Sequence, residues 1–317
     1  MPGTPTLNDI HVDGALTDFS VATFQDAAGF AATNVFPIVN VPQRSGKYYV
    51  YTASELLRSD AQKRSPGTES AVRNYKLSKD TYNCEVYSIA VDVSEQTTAN
   101  ADPALDPEED AAQVTIQDIR IKMDQEWSRA AFTTGIWATE TTDTWNTSTG
   151  IPVQTIGTAI KSVLSASGKR PNTLVLGAGA WYSGLWTSTA LMDRIPANLP
   201  KIVTPEFVGG IFGFDRVFIL GAINSTGMEG SSGISPAFIS HTDHALICYV
   251  DPNSNLRTPT AGKTFMWSGL TGGGSGIRTK RLDMPWKDAM PRVETDAAFD
   301  FKVVSTELGA LIKHVEA

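Results

Sequence analysis

Residues 106–137 constrain this chain more than any other stretch, because they read as one long helix. Asp106 is placed to cap it, Pro107 suits its first turn, and Glu109 falls three residues after the cap, a capping-box pattern. Apolar residues recur at Ile116, Ile119, Met123, Trp127 and Ala130, in steps of three and four that draw one stripe along a helix. Asp118, Lys122 and Glu126 follow one another at steps of four with alternating sign, which reads as a solvated face. At 1.5 Å per residue the predicted helix spans roughly 45–50 Å, longer than is usual in a globular protein. Alone, the stretch reads first as an ordinary long core helix; a helix of this length can also be a spine on which other elements hang.

The rest of the chain is large enough to build around it. It has 317 residues, 41% hydrophobic and 19% charged, normal values for a folded protein with somewhat sparse charge. No stretch approaches the ~20 apolar residues needed to cross a bilayer. The opening MPGTPTLNDIHVDG has neither the basic region nor the apolar core of a secretory signal. Cys84 and Cys248 make no disulfide framework and no metal cluster, and read as reduced thiols of a cytosolic protein.

Charge is unevenly spread. Residues 41–80 hold eight basic residues (Arg44, Lys47, Arg58, Lys63, Arg64, Arg73, Lys76, Lys79) and four acidic ones (Glu55, Asp60, Glu69, Asp80), a net +4. The formal net charge of the chain is −8, so the remainder carries −12. An acidic whole argues against tight non-specific nucleic-acid binding. A basic segment on an acidic body fits an acidic partner, including another copy of the same chain.

In order, residues 1–40 read as an arm, with Pro2, Gly3 and Pro5 opposing regular structure and a short helix expected at 18–29, anchored by Phe19, Phe24 and Phe30. The arm has too little apolar content for a core of its own and is expected to lie on something else. Residues 41–95 read as a long two-stranded hairpin: strands at 47–53 and 75–95, and between them a polar, basic tip with a Pro66-Gly67 turn. A long, core-poor hairpin is marginal by itself and has to rest on a neighbouring surface. Residues 139–150 read as a loop or hairpin. Helices are expected at 153–166, 177–186 and 205–213, strands at 173–176 and 216–220, and a further apolar run at 237–250, a mixed α/β unit over 151–285. A flexible loop follows at 268–276, and strands at 298–304 and 310–315 close the chain around a 306–309 turn.

Catalytic patterns fail on inspection. Ala261-Gly262-Lys263-Thr264 ends like a phosphate-binding loop, but the required earlier glycine is Arg257, so it reads as a turn. Gly177-Ala178-Gly179 follows a strand, but the third glycine of a dinucleotide loop is Tyr182. Ser232 and Ser275 lack the second glycine of a nucleophile elbow, having Ile234 and Ile277 there. His241-Thr242-Asp243-His244 offers metal donors, but without HExxH spacing and without a third ligand visible in sequence. The acidic run Asp106, Glu108, Glu109 and Asp110 is explained by capping and by the helix dipole. No catalytic residue, metal or cofactor is expected.

The ordered set of arm, basic hairpin, spine helix, glycine-rich mixed unit and closing strands resembles the major capsid protein of tailed bacteriophages, with the Hong Kong phage fold. Local stretches carry the likeness: the tip DAQKRSPGT at 60–68 followed by YNCEVYSIAVDVSEQT, PNTLVL at 171–176 before Trp181, FGF at 212–214 before the strand 216–220, and FKVVSTELGALI at 301–312. The resemblance covers nearly the whole chain. It implies an α+β fold with an N-terminal arm at 1–40, an extended loop at 41–95 reaching over an adjacent subunit, a peripheral domain at 96–150 and 286–317 containing the spine helix 106–137, and an axial domain at 151–285. It implies self-assembly into pentamers and hexamers of an icosahedral head around double-stranded DNA, in the bacterial host cytoplasm. Arg58, Lys63, Arg64 and Arg73 become the expected intersubunit residues. A separate scaffolding protein, a portal and a decoration protein are the implied partners, and residues 1–95 are expected to be buried between subunits. Lys63 and Lys76 lie where some relatives crosslink covalently, but no partner can be assigned and no crosslink is expected. Two other readings remain open: an encapsulin-like compartment shell with enzyme cargo, and a cytosolic α/β enzyme using residues 151–285.

Overall fold

The computed structural model describes residues 25, 29–50, 57–74, 78–94, 96, 106–147, 150–196, 201–225, 236–253, 255–271, 276–284 and 290–315. Most of the expected helix at 18–29, including Phe19 and Phe24, lies outside them, as do Lys76, Ser232 and Ser275. The strands are β1 (Ile38–Val41), β2 (Ser45–Val50), β3 (Ser78–Asn83), β4 (Glu85–Asp92), β5 (Thr139–Thr142), β6 (Thr173–Gly177), β7 (Arg216–Leu220), β8 (Ile223–Ser225), β9 (Pro236–Phe238), β10 (Ala245–Cys248), β11 (Gly262–Trp267), β12 (Ile277–Met284), β13 (Met290–Val303) and β14 (Gly309–Lys313). The principal helices are α1 (Pro107–Ala131), α2 (Pro152–Ser167) and α3 (Pro205–Phe212).

Asp106 caps α1 as its sequence predicts, its carboxylate accepting the N–H groups of Glu108 at 3.0 Å and Glu109 at 3.4 Å. The helix is shorter than predicted. It stops at Ala131, giving about 37 Å rather than 45–50 Å. The Phe132 N–H bonds Ser128 O at 2.9 Å, and the Trp137 indole turns back to donate to Ala131 O at 2.8 Å. Trp137 thus satisfies a terminal carbonyl instead of prolonging the stripe. Thr115, Ile119, Met123 and Trp127 form the buried line, joined by Asp124.

Two five-stranded sheets flank this helix. In the first, β1 pairs parallel with β11, and β11 pairs antiparallel with β13. The long β13 takes β12 and β11 in succession along one edge and β4 along the other, since Ala297 faces both Ile277 and Tyr87 while Phe299 faces both Met266 and Glu85. The second sheet runs β5-β14-β10-β6-β7. Its middle strands carry the apolar runs 174–176, 245–248 and 310–312 because both faces are covered. Val175, Leu246 and Leu311 face the core that holds Trp127, Phe132 and Phe36, while Leu174, Leu176, Ile247 and Ile312 face a second core with Ile156, Val163 and Trp181.

Several predictions change in detail. Residues 139–142, expected in a loop or hairpin, pair parallel with β14 as a strand. The expected helix at 177–186 is one widened turn at Ala180–Leu185, in which the Trp186 N–H reaches Trp181 O at 2.9 Å. Gly262-Lys263-Thr264 is not a turn but the start of the buried strand β11. The expected loop at 268–276 opens with the helical turn Ser268–Thr271. The strand expected at 298–304 begins at Met290.

Candidate interaction surface

The hairpin grows from the first sheet by both legs. β1 leads into β2, and β3 leads through Cys84 into β4, so the predicted second strand is two strands with different partners. β2 and β3 pair antiparallel, Ser45 opposite Asn83 and Val50 opposite Ser78, whereas β4 pairs with β13. At the root, Tyr48 and Tyr82 close over Phe265 of β11, with ring centroids 5.2 and 4.7 Å away. Asn83 N–H donates to Asp300 at 2.8 Å and Cys84 N–H to Arg44 O at 2.9 Å. Burial pushes the Cys84 thiol up to about 12, as it does Cys248, so neither is a reactive thiolate.

The expectation that residues 1–95 are buried on other subunits therefore needs correction. Phe30, Ala31, Val35, Phe36, Tyr48, Tyr82 and Cys84 are buried within their own molecule. Their partners are α1 and β11, which composition alone does not reveal.

The tip behaves differently. Every residue from Leu57 to Asn74 except Asp60 is exposed, including Leu57 at 59% and Val72 at 89%. The predicted turn forms, with Thr68 N–H bonded to Ser65 O at 3.2 Å and Gly67 at φ 85°, a left-handed conformation suited to glycine. Asp60 organises the base of the loop: Arg58 lies 2.8 Å and Arg73 3.7 Å from its carboxylate. Arg73 also donates to Arg58 O, and Arg64 to Thr68 O. These arginines, with Ser70, ring a cup of about 460 Å³. Lys63, exposed on the same loop, has no hydrogen bond or ion pair among the described residues. The four predicted interface residues thus sit on one loop, three as internal props and one as a free charge.

A second exposed feature follows the edge strand β7. A groove of about 830 Å³ runs beside Val217–Leu220 and is walled by Tyr182, Ile223 and Phe238. Tyr182 and Phe238 are 55% and 48% exposed, and Trp186 packs edge-on to Tyr182 at 5.7 Å. The edge of β7 has no strand partner among the described residues, and open aromatic surface beside such an edge is typical of interaction sites.

No protein-family model matches the chain, and no curated protein matches it by sequence. Solved structures do match. A phage-related protein from Bordetella bronchiseptica RB50 superposes with a TM-score of 0.69 at 14% identity, over 95% of this chain and 96% of that one. The capsid of cyanophage P-SCSP1u matches with a TM-score of 0.58 at 11% identity, over 100% of both chains. The chain has the Hong Kong phage capsid fold. The SrpI encapsulin complex of Synechococcus elongatus PCC 7942 also matches, with a TM-score of 0.53 at 11% identity over 96% of both chains, so the fold is shared with an encapsulin.

Within the capsid fold the catalytic fragments have structural places. Lys263 is wholly buried in β11, its Nζ without a hydrogen-bond partner among the described residues, and burial lowers its pKa to about 8. Gly177 ends β6 where the loop 241–244 crosses it; a Cβ there would press into the carbonyl oxygens of His241 and Thr242. That loop gathers His241, Asp243 and His244, with donor atoms within 4.8 Å of one another. His314, at the end of β14, joins them 3.2 Å from Asp243. The sequence displays the first three residues together, but only the pairing of β10 with β14 brings in the fourth.

Proposed function

We propose that this chain is the major capsid protein of a tailed double-stranded DNA phage, assembling as pentamers and hexamers into an icosahedral head around the genome. The observation that carries this reading beyond the fold is the hairpin. Its root is locked to its own body, while its tip holds Arg58, Lys63, Arg64 and Arg73 in solvent beside exposed Leu57 and Val72. A cationic, partly apolar loop on a chain that is otherwise −12 suits a connector to an acidic sister surface. Contacts of this kind, individually weak, gain strength by repetition around a closed shell.

On this reading residues 41–95 are the extended loop. Residues 96–150 and 286–317 form the peripheral domain, and residues 151–285 the axial domain, whose β7 groove faces another copy. A separate scaffolding protein, a portal and a decoration protein are partners in the host cytoplasm, and the protein works by association rather than turnover. The acidic balance suits packaging, since such a wall does not grip incoming DNA.

The encapsulin likeness supports a second reading, a shell around enzyme cargo. Electron microscopy of the chain produced with the scaffolding protein from its own genome tests the proposal. Closed hollow particles are expected, and a monomer at high concentration in the presence of scaffold overturns it. Particles that copurify with a single enzyme favour the compartment.

A further inference from the structure

Three of the chain's four histidines gather around one carboxylate, and two of them contact it. Asp243 Oδ1 lies 2.8 Å from His244 Nδ1, and its Oδ2 lies 3.2 Å from His314 Nδ1. The His241 ring stacks on that of His244 at 4.5 Å, and the His314 ring stands edge-on to His244 at 6.1 Å. We propose that His241, Asp243, His244 and His314 bind one divalent transition ion of the zinc class. This inference is independent of whether the chain encloses a genome or cargo.

The donor chemistry selects the ion. Neutral imidazoles with a single carboxylate suit zinc, nickel or copper, whereas calcium and magnesium need oxygen-rich sites. His244 is 3% exposed, and its Nδ1 faces Asp243 Oδ1, so an ion seated at the carboxylate binds through Nδ1 in place of that hydrogen bond; Nε2, without a hydrogen-bond partner among the described residues, lies on the far side of the ring.

The backbone around the cluster is already fixed. Gly177 N–H donates to His244 O at 2.9 Å, Ala180 N–H to Thr242 O at 2.8 Å, and Val315 N–H to Asp243 O at 2.9 Å. Donor atoms in a tetrahedral zinc site lie roughly 3.4 Å apart, as follows from bonds of about 2.0–2.1 Å. His241, Asp243 and His244 close their 4.8 Å spread by side-chain rotation, and His314 joins from its place 3.2 Å from Asp243. The ion ties the end of β14 to the loop that enters β10, two strands that already pair.

The test uses the full chain without a histidine tag. Calorimetric titration with zinc is expected to show one saturable ion per chain and a rise in Tm. The cobalt-loaded protein is expected to give the visible bands of a nitrogen and oxygen site without thiolate charge transfer. The double variant His241→Ala/His314→Ala is expected to lose about tenfold or more in affinity while keeping its metal-free circular dichroism. Absorption fine structure at the zinc edge counts imidazole ligands in the wild-type protein, so the outcome does not depend on a variant folding. Absence of saturable binding, thiolate bands from Cys84 or Cys248, no imidazole at the edge, or unchanged affinity in the double variant overturns the proposal.

Discussion

Asp124, midway along α1, accepts the backbone N–H of Ala31 at 2.6 Å and caps a turn distant in sequence. The Ala32 N–H reaches the same oxygen at 2.9 Å, and Val35 N–H closes the turn on Ala31 O at 2.9 Å. The carboxylate is fully buried, its second oxygen has no partner among the described residues, and burial raises its pKa from 3.8 to about 6 against the pull of the two donors. A raised carboxyl pKa means that the folded state holds the proton more tightly than the unfolded chain. The stabilisation from Asp124 is therefore complete below pH 4 and lost as pH rises through 6. Asp124→Asn keeps an acceptor and does not ionise. Relative to that variant, wild type is expected to gain about 1–2 kcal/mol of unfolding free energy between pH 7 and pH 5, read from urea melts. Asp124→Ala, which strands two amides, is expected to cost about 2–4 kcal/mol at pH 5.

Lys263 has the opposite sign. Its folded pKa of about 8 lies below the usual 10.5, so its charged form is disfavoured in the fold. The penalty is full below pH 8 and fades as pH rises towards 10.5. Lys263→Met fills the same space without charge and is expected to raise stability by about 1–3 kcal/mol at pH 7, with the gain shrinking by pH 10. Chemical denaturation at the two pH values measures it.

At the tip, Arg64→Glu/Arg73→Glu is expected to leave far-UV circular dichroism and Tm nearly unchanged and to block particle formation. Because both arginines also brace the loop, Lys63→Glu is the cleaner probe of charge. It is expected to slow assembly in a salt-dependent way, with the deficit narrowing as added salt screens the wild-type attraction. Light scattering at several ionic strengths reads this. Identical kinetics at low salt would remove Lys63 from the interface.

Gly177→Ala pushes a methyl group into the carbonyls of His241 and Thr242. A destabilisation of about 1–3 kcal/mol is expected, since main chain cannot yield as a side chain can. The same variant is expected to lose zinc affinity, because the loop that carries three donors has to lift. A thermal melt and a zinc titration check both.

The start of α1 was legible because capping is local: Asp106, Pro107 and the amides they serve are neighbours in sequence. Its end was not, because the stop depends on the Trp137 indole folding back. The strand β6 stood out as an apolar run, whereas β5, with the sequence TETT, becomes a strand only through β14 beside it. The first half of β13 hid for a related reason. Arg292 and Asp296 look like loop residues until the sheet aligns Arg292 with Asp92 at 2.6 Å and Asp296 with Arg278 at 2.8 Å. The tip's positive charge could be counted from sequence. The role of Asp60 as its brace, and the arrival of His314 beside Asp243, needed the folded chain.

Because β3 runs on through Cys84 into β4, a tug on the tip travels along covalent backbone into the first sheet, against its long strand β13. There β4 lies antiparallel to β13 over eight residue pairs, from Arg292 with Asp92 to Phe299 with Glu85. Traction along that strand acts in shear, so the whole ladder resists at once instead of opening rung by rung. The loop is thus mounted as a tether, able to hand mechanical strain from its tip to β13, the strand that joins the rest of the sheet.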